Sequence, residues 1–197
     1  MICAIVLAAG ESRRMGTPKL LLPFGEKTIM ETVLESILQS RVEGVFVILG
    51  AGGKKIEKKI AHLPVSLVFN RRYREGMLSS IQAGFRALPA ETKAAVVCLG
   101  DQPLVAPAVI DELIEAYERS RKRIVSPTYR GKRGHPILID CGYREDIQRL
   151  DPRIGLRKLL HDHPEDVQDV EVASPHILED IDIPADYSRA KKTGDTR

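Results

Sequence analysis

A chain of 197 residues with 43% apolar and 29% charged residues has the size of one α/β domain with a substantial core, and is neither disordered nor fibrous in composition. Its net charge of +3 suits a small anionic substrate without asking for nucleic acid, and an aromatic content of 5% with no Trp offers little to stack single-stranded bases on. The apolar start, Ile2 to Gly10, is too short to span a membrane and lacks the basic flank of a signal peptide, while Cys3, Cys98 and Cys141 form no CxxC and do not pair evenly; a cytoplasmic location away from membranes is therefore expected.

In chain order, Ile2 to Leu7 reads as a buried strand that breaks at Ala8-Ala9-Gly10. Small side chains there allow close approach to the backbone, and Arg13, Arg14 and Lys19 add three cations to the loop marked by Gly10, Ser12 and Gly16. Such a loop can seat a polyphosphate, with backbone N–H groups pointing inward and cations offsetting charge. It is not a Walker loop, since five residues separate Gly10 from Gly16 and Thr17-Pro18-Lys19 follows. Nor is it a Gly-x-Gly-x-x-Gly dinucleotide loop, because position 12 is Ser and 15 is Met. Pro18 and Pro23 oppose a helix starting directly after it.

Thr28 to Leu38 has helical apolar spacing, with Thr28 as cap and Glu31 completing a capping box. Strands follow at Val45 to Leu49, Val65 to Phe69 and Ala94 to Leu99, with helices at Lys54 to His62, Met77 to Leu88 and Pro107 to Arg119. Further strands are predicted at Ile124 to Pro127, Ile137 to Ile139 and Val167 to Val172, short helices at Gly142 to Arg149 and Gly155 to His161, and a terminal helix at Pro184 to Lys192. The expected domain is 1–192, with 193–197 a disordered tail. Apolar strands alternating with amphipathic helices imply a single doubly wound, mostly parallel, Rossmann-like sheet, with a departure from strict alternation after Arg130. In such a sheet ligands bind at the strand C-termini, where Gly10 to Lys19, Asn70 to Gly76 and Asp101 all fall.

The stretch LAAGESRRMGTPK, Leu7 to Lys19, resembles the signature loop of the nucleotidyltransferases of the nucleotide-diphospho-sugar transferase superfamily. Within that superfamily the later motifs most resemble the branch related to molybdenum-cofactor cytidylyltransferases. The resemblance implies the nucleotide-diphospho-sugar transferase fold and a reaction in which CMP from CTP is joined to a phosphorylated acceptor, molybdopterin cofactor, with release of pyrophosphate. It assigns triphosphate contacts to Arg14 and Lys19, with Arg13 beside them, and makes Arg14, Lys19 and Asp101 the catalytic set. Fixed cations suit this chemistry, because attack on an α-phosphate builds charge on its oxygens and on the departing pyrophosphate.

The same resemblance assigns Mg²⁺ to Asp101 in Gly100-Asp101-Gln102-Pro103, and one or two carboxylates are what such a site needs. A second ligand is expected from EDIDIPADY, Glu179 to Tyr187, where the branch has Asp-Ile-Asp-Thr-Pro-Glu-Asp; Ile183 and Ala185 depart from that pattern. Asp182 is the first choice and Asp180 the second, against the alternative that Asp182 caps the helix begun by Pro184. The base is assigned to the backbone of Leu7, Ala8, Ala9 and Gly10 and to Gly76, Ser79 and Ser80, with Ser80 the best match to the base-contacting serine; either serine could instead cap the following helix. Arg-Gly-His-Pro, typical of the branch, puts Arg133 and His135 with Gln102 in the acceptor half, the alternative for this motif being a tight turn.

No Ser-His-Asp or Cys-His arrangement is evident, which fits a phosphate monoester acting as its own nucleophile. Three other activities fit parts of the pattern. They are the same transfer with GTP or another acceptor phosphate, an oxidoreductase acting on nicotine-derived dyes, and a non-catalytic carrier that hands molybdenum cofactor to a molybdoenzyme partner. The missing Gly-x-Gly-x-x-Gly counts against the second, and an intact Arg14, Lys19 and Asp101 against the third.

Overall fold

The computed structural model describes residues 1–194. Among these residues ten strands form in chain order: β1 (Ile2–Ala8), β2 (Pro23–Phe24), β3 (Lys27–Thr28), β4 (Gly44–Leu49), β5 (Ser66–Phe69), β6 (Ala94–Leu99), β7 (Ile124–Tyr129), β8 (Lys132–Arg133), β9 (Ile137–Asp140) and β10 (Val167–Glu171). Seven α-helices accompany them: α1 (Ile29–Leu38), α2 (Gly53–Ile60), α3 (Met77–Ala87), α4 (Pro107–Arg119), α5 (Arg144–Arg149), α6 (Arg157–Asp162) and α7 (Pro184–Gly194). The last helix carries Thr193 and Gly194, and the rest of the tail expected to be disordered lies outside the described residues. No helix among the described residues is long and apolar enough to cross a membrane.

The main sheet runs β10-β7-β9-β6-β1-β4-β5, with β8 hydrogen-bonded to β7. β1 pairs in parallel with β4 and β6, β4 with β5, and β10 with β7, while β9 runs antiparallel to both β6 and β7. The reversal at β9 has a simple cause. A parallel return from β7 needs a crossover of a dozen or more residues, and the few residues between Tyr129 and Ile137 allow only a hairpin excursion through β8.

Both faces of the central strands are buried, and successive residues serve different cores. Ala4, Val6 and Ala8 of β1 with Val96 of β6 pack under α1, α2 and α4, whereas Cys3, Ile5, Ala95 and Val97 pack under α3, α5 and α6. Cys3 and Cys98 are buried free thiols. α1 begins as expected, with the Thr28 hydroxyl accepting from the Glu31 N–H and the Glu31 carboxylate accepting from the Thr28 N–H at 2.8 Å. Because β1, β4, β5 and β6 are parallel, their C-terminal ends share one rim, and the three polar segments named above open there.

α3 lies directly over β1, and Gly84 is what lets it do so: a Cβ at this position would stand 2.5 Å from Ile5 Cγ2, and Ile5 is fully buried. Gly84→Ala is expected to overpack this contact at a cost of about 1–3 kcal/mol. Thermal unfolding should show the melting temperature falling by roughly 2–12 °C, at about 2–4 °C per kcal/mol for a chain of this size. An unchanged melting temperature would mean that α3 is free to lift away from β1.

Candidate active site

The rim holds a cleft of about 600 Å³. Leu7, Ala8, Ala9, Gly10, Arg13, Arg14 and Lys19 line it together with Gly76, Ser80, Asp101 and Asp182. Eleven of the residues singled out from sequence are therefore brought to one cavity from four separate segments of the chain.

The loop after β1 turns through Ser12, whose φ of 53° is in the left-handed region, an uncommon conformation for a residue other than glycine. The turn brings the Ser12 hydroxyl to the Lys19 N–H at 3.2 Å, so the loop closes on itself at the residue that carries its innermost cation. Ser12 marked only a loop in the sequence, and a side chain–backbone bond of this kind leaves no pattern there. Among the described residues the backbone N–H groups of Gly10, Glu11 and Ser12 make no hydrogen bond, and they lie on the cleft wall.

Lys19 is the centre of the charge arrangement. Its Nζ stands 2.5 Å from Asp101 Oδ2 and 3.0 Å from Asp182 Oδ1, with only 12% of its side chain exposed. Arg14 reaches the other oxygen of Asp182 at 2.6 Å. Arg13 is engaged outside this group, with Glu11 at 2.5 Å, and Glu11 also faces Arg74 across the cleft at 3.5 Å. Burial works against the Lys19 ammonium, but Asp101 and Asp182 outweigh it and raise its pKa. Burial also opposes charge on Asp182, yet Lys19 and Arg14 hold its carboxyl below the ordinary range. Asp101 goes the other way: although it is paired with Lys19, burial and the nearby Asp180 raise its pKa.

Asp101, Asp180 and Asp182 present carboxylate oxygens within 4.8 Å of one another. Three hard oxygen donors around a partly buried point form a donor set that fits a hexacoordinate divalent ion such as Mg²⁺ or Mn²⁺, with water and phosphate filling the remaining positions. Neither aspartate of the sequence expectation is spent on a helix cap. α4 starts at Pro107 after Ala106 with no side-chain cap, and at α7 the Asp186 carboxylate accepts from the N–H groups of Asp182 and Ile183.

Four residues expected in the site do not line this cleft. Ser79 is buried one residue from Ser80 and donates its hydroxyl to the carbonyls of Arg72 and Gly76, so it closes the turn before α3. Gln102 donates to the Ile177 carbonyl at 3.3 Å, and the His135 N–H donates to that same oxygen at 2.9 Å. Those two residues fasten the turn that delivers Asp180 and Asp182. Gly134 makes room for it, since a Cβ there would stand 2.2 Å from the Ile177 oxygen. His135 is held largely neutral: burial lowers its pKa and Arg157 adds to this, against the opposing charge of Asp180. Arg133 is exposed, with its guanidinium forked onto Asp169 at 2.7 and 2.9 Å. The cleft adds Tyr73, Arg74 and Met77, which the sequence offered only as part of a segment, because side chains in an irregular turn follow no period.

Comparison with known proteins matches residues 4–167 to the MobA-like NTP transferase domain. The chain is 31% identical to the molybdenum cofactor cytidylyltransferase of Escherichia coli (strain K12), over 97% of this chain and 96% of that one. It is 30% identical to the nicotine blue oxidoreductase of Paenarthrobacter nicotinovorans, over 92% of each. Among solved structures, Rv0371c of Mycobacterium tuberculosis H37Rv in complex with manganese superimposes with a TM-score of 0.83 at 26% identity, covering 98% of both chains. By these matches the chain belongs to the MobA-like NTP transferase domain family, and is a nucleotidyltransferase.

Proposed function

We infer that the protein is a Mg²⁺-dependent cytidylyltransferase that joins CMP from CTP to the terminal phosphate of molybdopterin cofactor and releases pyrophosphate. The observation that carries this reading is the meeting of Lys19 with Asp101 and Asp182 beneath the loop of residues 8–14. The free N–H groups of Gly10, Glu11 and Ser12, with Arg13, Arg14 and Lys19, form a seat for a triphosphate. Ser80 and the backbone of Leu7 to Gly10 face the base, and the side of the cleft towards Asp180 and His135 is left to the acceptor.

Asp101 and Asp182, with Asp180, would hold Mg²⁺, which supplies charge neutralisation on the phosphate oxygens when bound. The Lys19 stem is long and flexible, so its ammonium can turn from the carboxylates to the triphosphate once those carboxylates have another cation. There it offsets charge that grows on the α-phosphate oxygens and the leaving pyrophosphate, more in the transition state than in the ground state. The acceptor phosphate is already a nucleophile near neutral pH. The protein has only to align it with the departing oxygen and keep water away, so no side chain need take up a proton.

The E. coli relative supports the choice of CTP and of the acceptor. The Paenarthrobacter relative favours one other reading, hydride transfer to a dye, which titration with NADH or NADPH tests directly. The deciding assay is pyrophosphate release with CTP or GTP, each with and without molybdopterin cofactor. Release is expected with CTP and acceptor together. If GTP alone supports turnover, the base assignment is wrong, and if neither does, so is the reaction.

Asp101→Ala and Lys19→Ala should each lower the turnover rate by about 100-fold or more while the protein stays folded. Near-normal rates in both would place the chemistry elsewhere.

Lys19 also makes a prediction without turnover. Removing its ammonium leaves neighbouring carboxylates uncompensated, at a cost of up to about 3 kcal/mol. Lys19→Ala should therefore melt lower than wild type in the presence of a chelator. Millimolar Mg²⁺ or Mn²⁺ should raise its melting temperature by more than it raises the wild type's, and equal shifts would show that ion and ammonium do not share the site.

A further inference from the structure

Asn70, the first residue after β5, is buried, with 5% of its surface exposed, and has no part in the scheme above. A buried amide has to satisfy both ends, and its partners show which end is which. The Arg72 N–H, which can only donate, lies 2.9 Å from Asn70 Oδ1. The NH₂ end therefore faces the other way, where Nδ2 donates to Ser79 Oγ at 2.9 Å and to Ser80 Oγ at 3.0 Å. Both amide hydrogens are used, one on each hydroxyl oxygen.

The two hydroxyls differ in where their own hydrogen goes. That of Ser79 is taken by the carbonyls of Arg72 and Gly76, at 2.9 and 2.8 Å. That of Ser80 meets no acceptor among the described residues, although Ser80 is 3% exposed and forms part of the cleft wall. A buried hydroxyl with one unused hydrogen at a cavity wall is a donor kept for whatever fills the cavity.

We propose that Asn70 is a positioning residue for nucleobase selection: it holds the Ser80 oxygen through a lone pair, so the hydroxyl enters the cleft as a hydrogen-bond donor and the base must present an acceptor to it. A ring nitrogen or a carbonyl oxygen meets that demand, whereas an exocyclic amine, even on the second lone pair, leaves the hydroxyl hydrogen unpaired. The inference deepens the nucleotidyltransferase reading and rests on it. The polarity of the amide sets the polarity of the hydroxyl, so exchanging the NH₂ for oxygen should reverse both. In Asn70→Asp the carboxylate still accepts from the Arg72 N–H but now also accepts from the serine hydroxyls. Ser80 is left with only lone pairs towards the cleft, and acceptor faces acceptor.

Calorimetric titration with CTP and with GTP, each with Mg²⁺, on the wild type, Asn70→Asp, Ser80→Ala and the double variant tests this, with inorganic tripolyphosphate as a probe that has no base. Each single variant should bind the preferred nucleotide about tenfold more weakly, and tripolyphosphate as the wild type does. The double variant should be no weaker than the weaker single one, because both changes remove the same hydrogen bond. Losses that multiply in the double variant, or a folded Asn70→Asp that binds like the wild type, would overturn the proposal. If Asn70→Asp fails to fold, Asn70→Ala takes its place. It frees the Ser80 hydroxyl to rotate and should weaken nucleotide binding several-fold while sparing tripolyphosphate; equal weakening of both would reduce Asn70 to a structural role. A wild type that binds tripolyphosphate but neither nucleotide refutes the nucleotide reading and the proposal with it. One that binds a nucleotide indifferently to all variants refutes the proposal alone.

Discussion

Three carboxylates and one ammonium sharing a partly buried point are the constraint around which this molecule is arranged. Lys19 is 82 residues from Asp101 and 163 from Asp182, so the cluster forms only when the first strand, the fourth strand of the parallel set and the C-terminal segment reach the same rim. An uncompensated charge at such a point is costly, and each member therefore depends on the others. The dependence is visible in the opposed behaviour of the two aspartates. Asp182, more open and touched by both Lys19 and Arg14, is held ionised, whereas Asp101, deeper and opposed by the charge of Asp180, is pushed towards its neutral form. Even with the Arg14 guanidinium on Asp182, two cations do not balance three carboxylates, and the site is short of positive charge in a way that a divalent ion would make good.

The sheet supplies one side of this arrangement and an irregular segment supplies the other. β1 and β6 lie side by side in register, so the loop after Ala8 and the turn at Asp101 leave from adjacent strand ends. Asp180 and Asp182 have no strand beneath them. They are placed by the turn at 175–178, held at the Ile177 carbonyl by Gln102 and by the backbone of His135, and by the Ile181 N–H donating to the Asp101 carbonyl at 3.1 Å. That last bond joins the two halves of the carboxylate cluster through the backbone, where substitution of side chains does not disturb it.

This division explains what could be read from the sequence. The buried strands, the capping box at Thr28 and Glu31, and the rim positions of Lys19 and Asp101 follow from local pattern, because apolar runs, caps and strand ends are local properties. The two-residue strands β2, β3 and β8 have no period to detect, and the reversal of β9 left no more trace in the sequence than a departure from strict alternation after Arg130. Within the site, residue types were legible and partners were not. Arg133 looked free to take an anion until the fold set Asp169 beside it, 36 residues away, and Ser79 and Ser80 were both offered to the base, with Ser80 preferred, before Asn70 and two carbonyls gave them different hydrogen-bond duties. Asn70 was legible only as the start of the polar segment at the rim, with nothing to single it out within that segment.

Relatives named for nucleotide transfer and for dye reduction lie at nearly the same distance from this chain, so overall identity does not choose between the two chemistries and the site has to. Hydride transfer asks for a flat cofactor held against its substrate, with little growth of negative charge on oxygen. It gives no reason to gather three aspartates around a lysine beneath a turn of free backbone N–H groups. Displacement at a phosphate asks for all of it: donors for the triphosphate, carboxylates for its counter-ion, and a mobile cation for the charge that leaves. A dye reductase built on this scaffold would have to fill or neutralise the carboxylate cluster to seat an uncharged ring there, and here Asp101, Asp180 and Asp182 all still face the cleft.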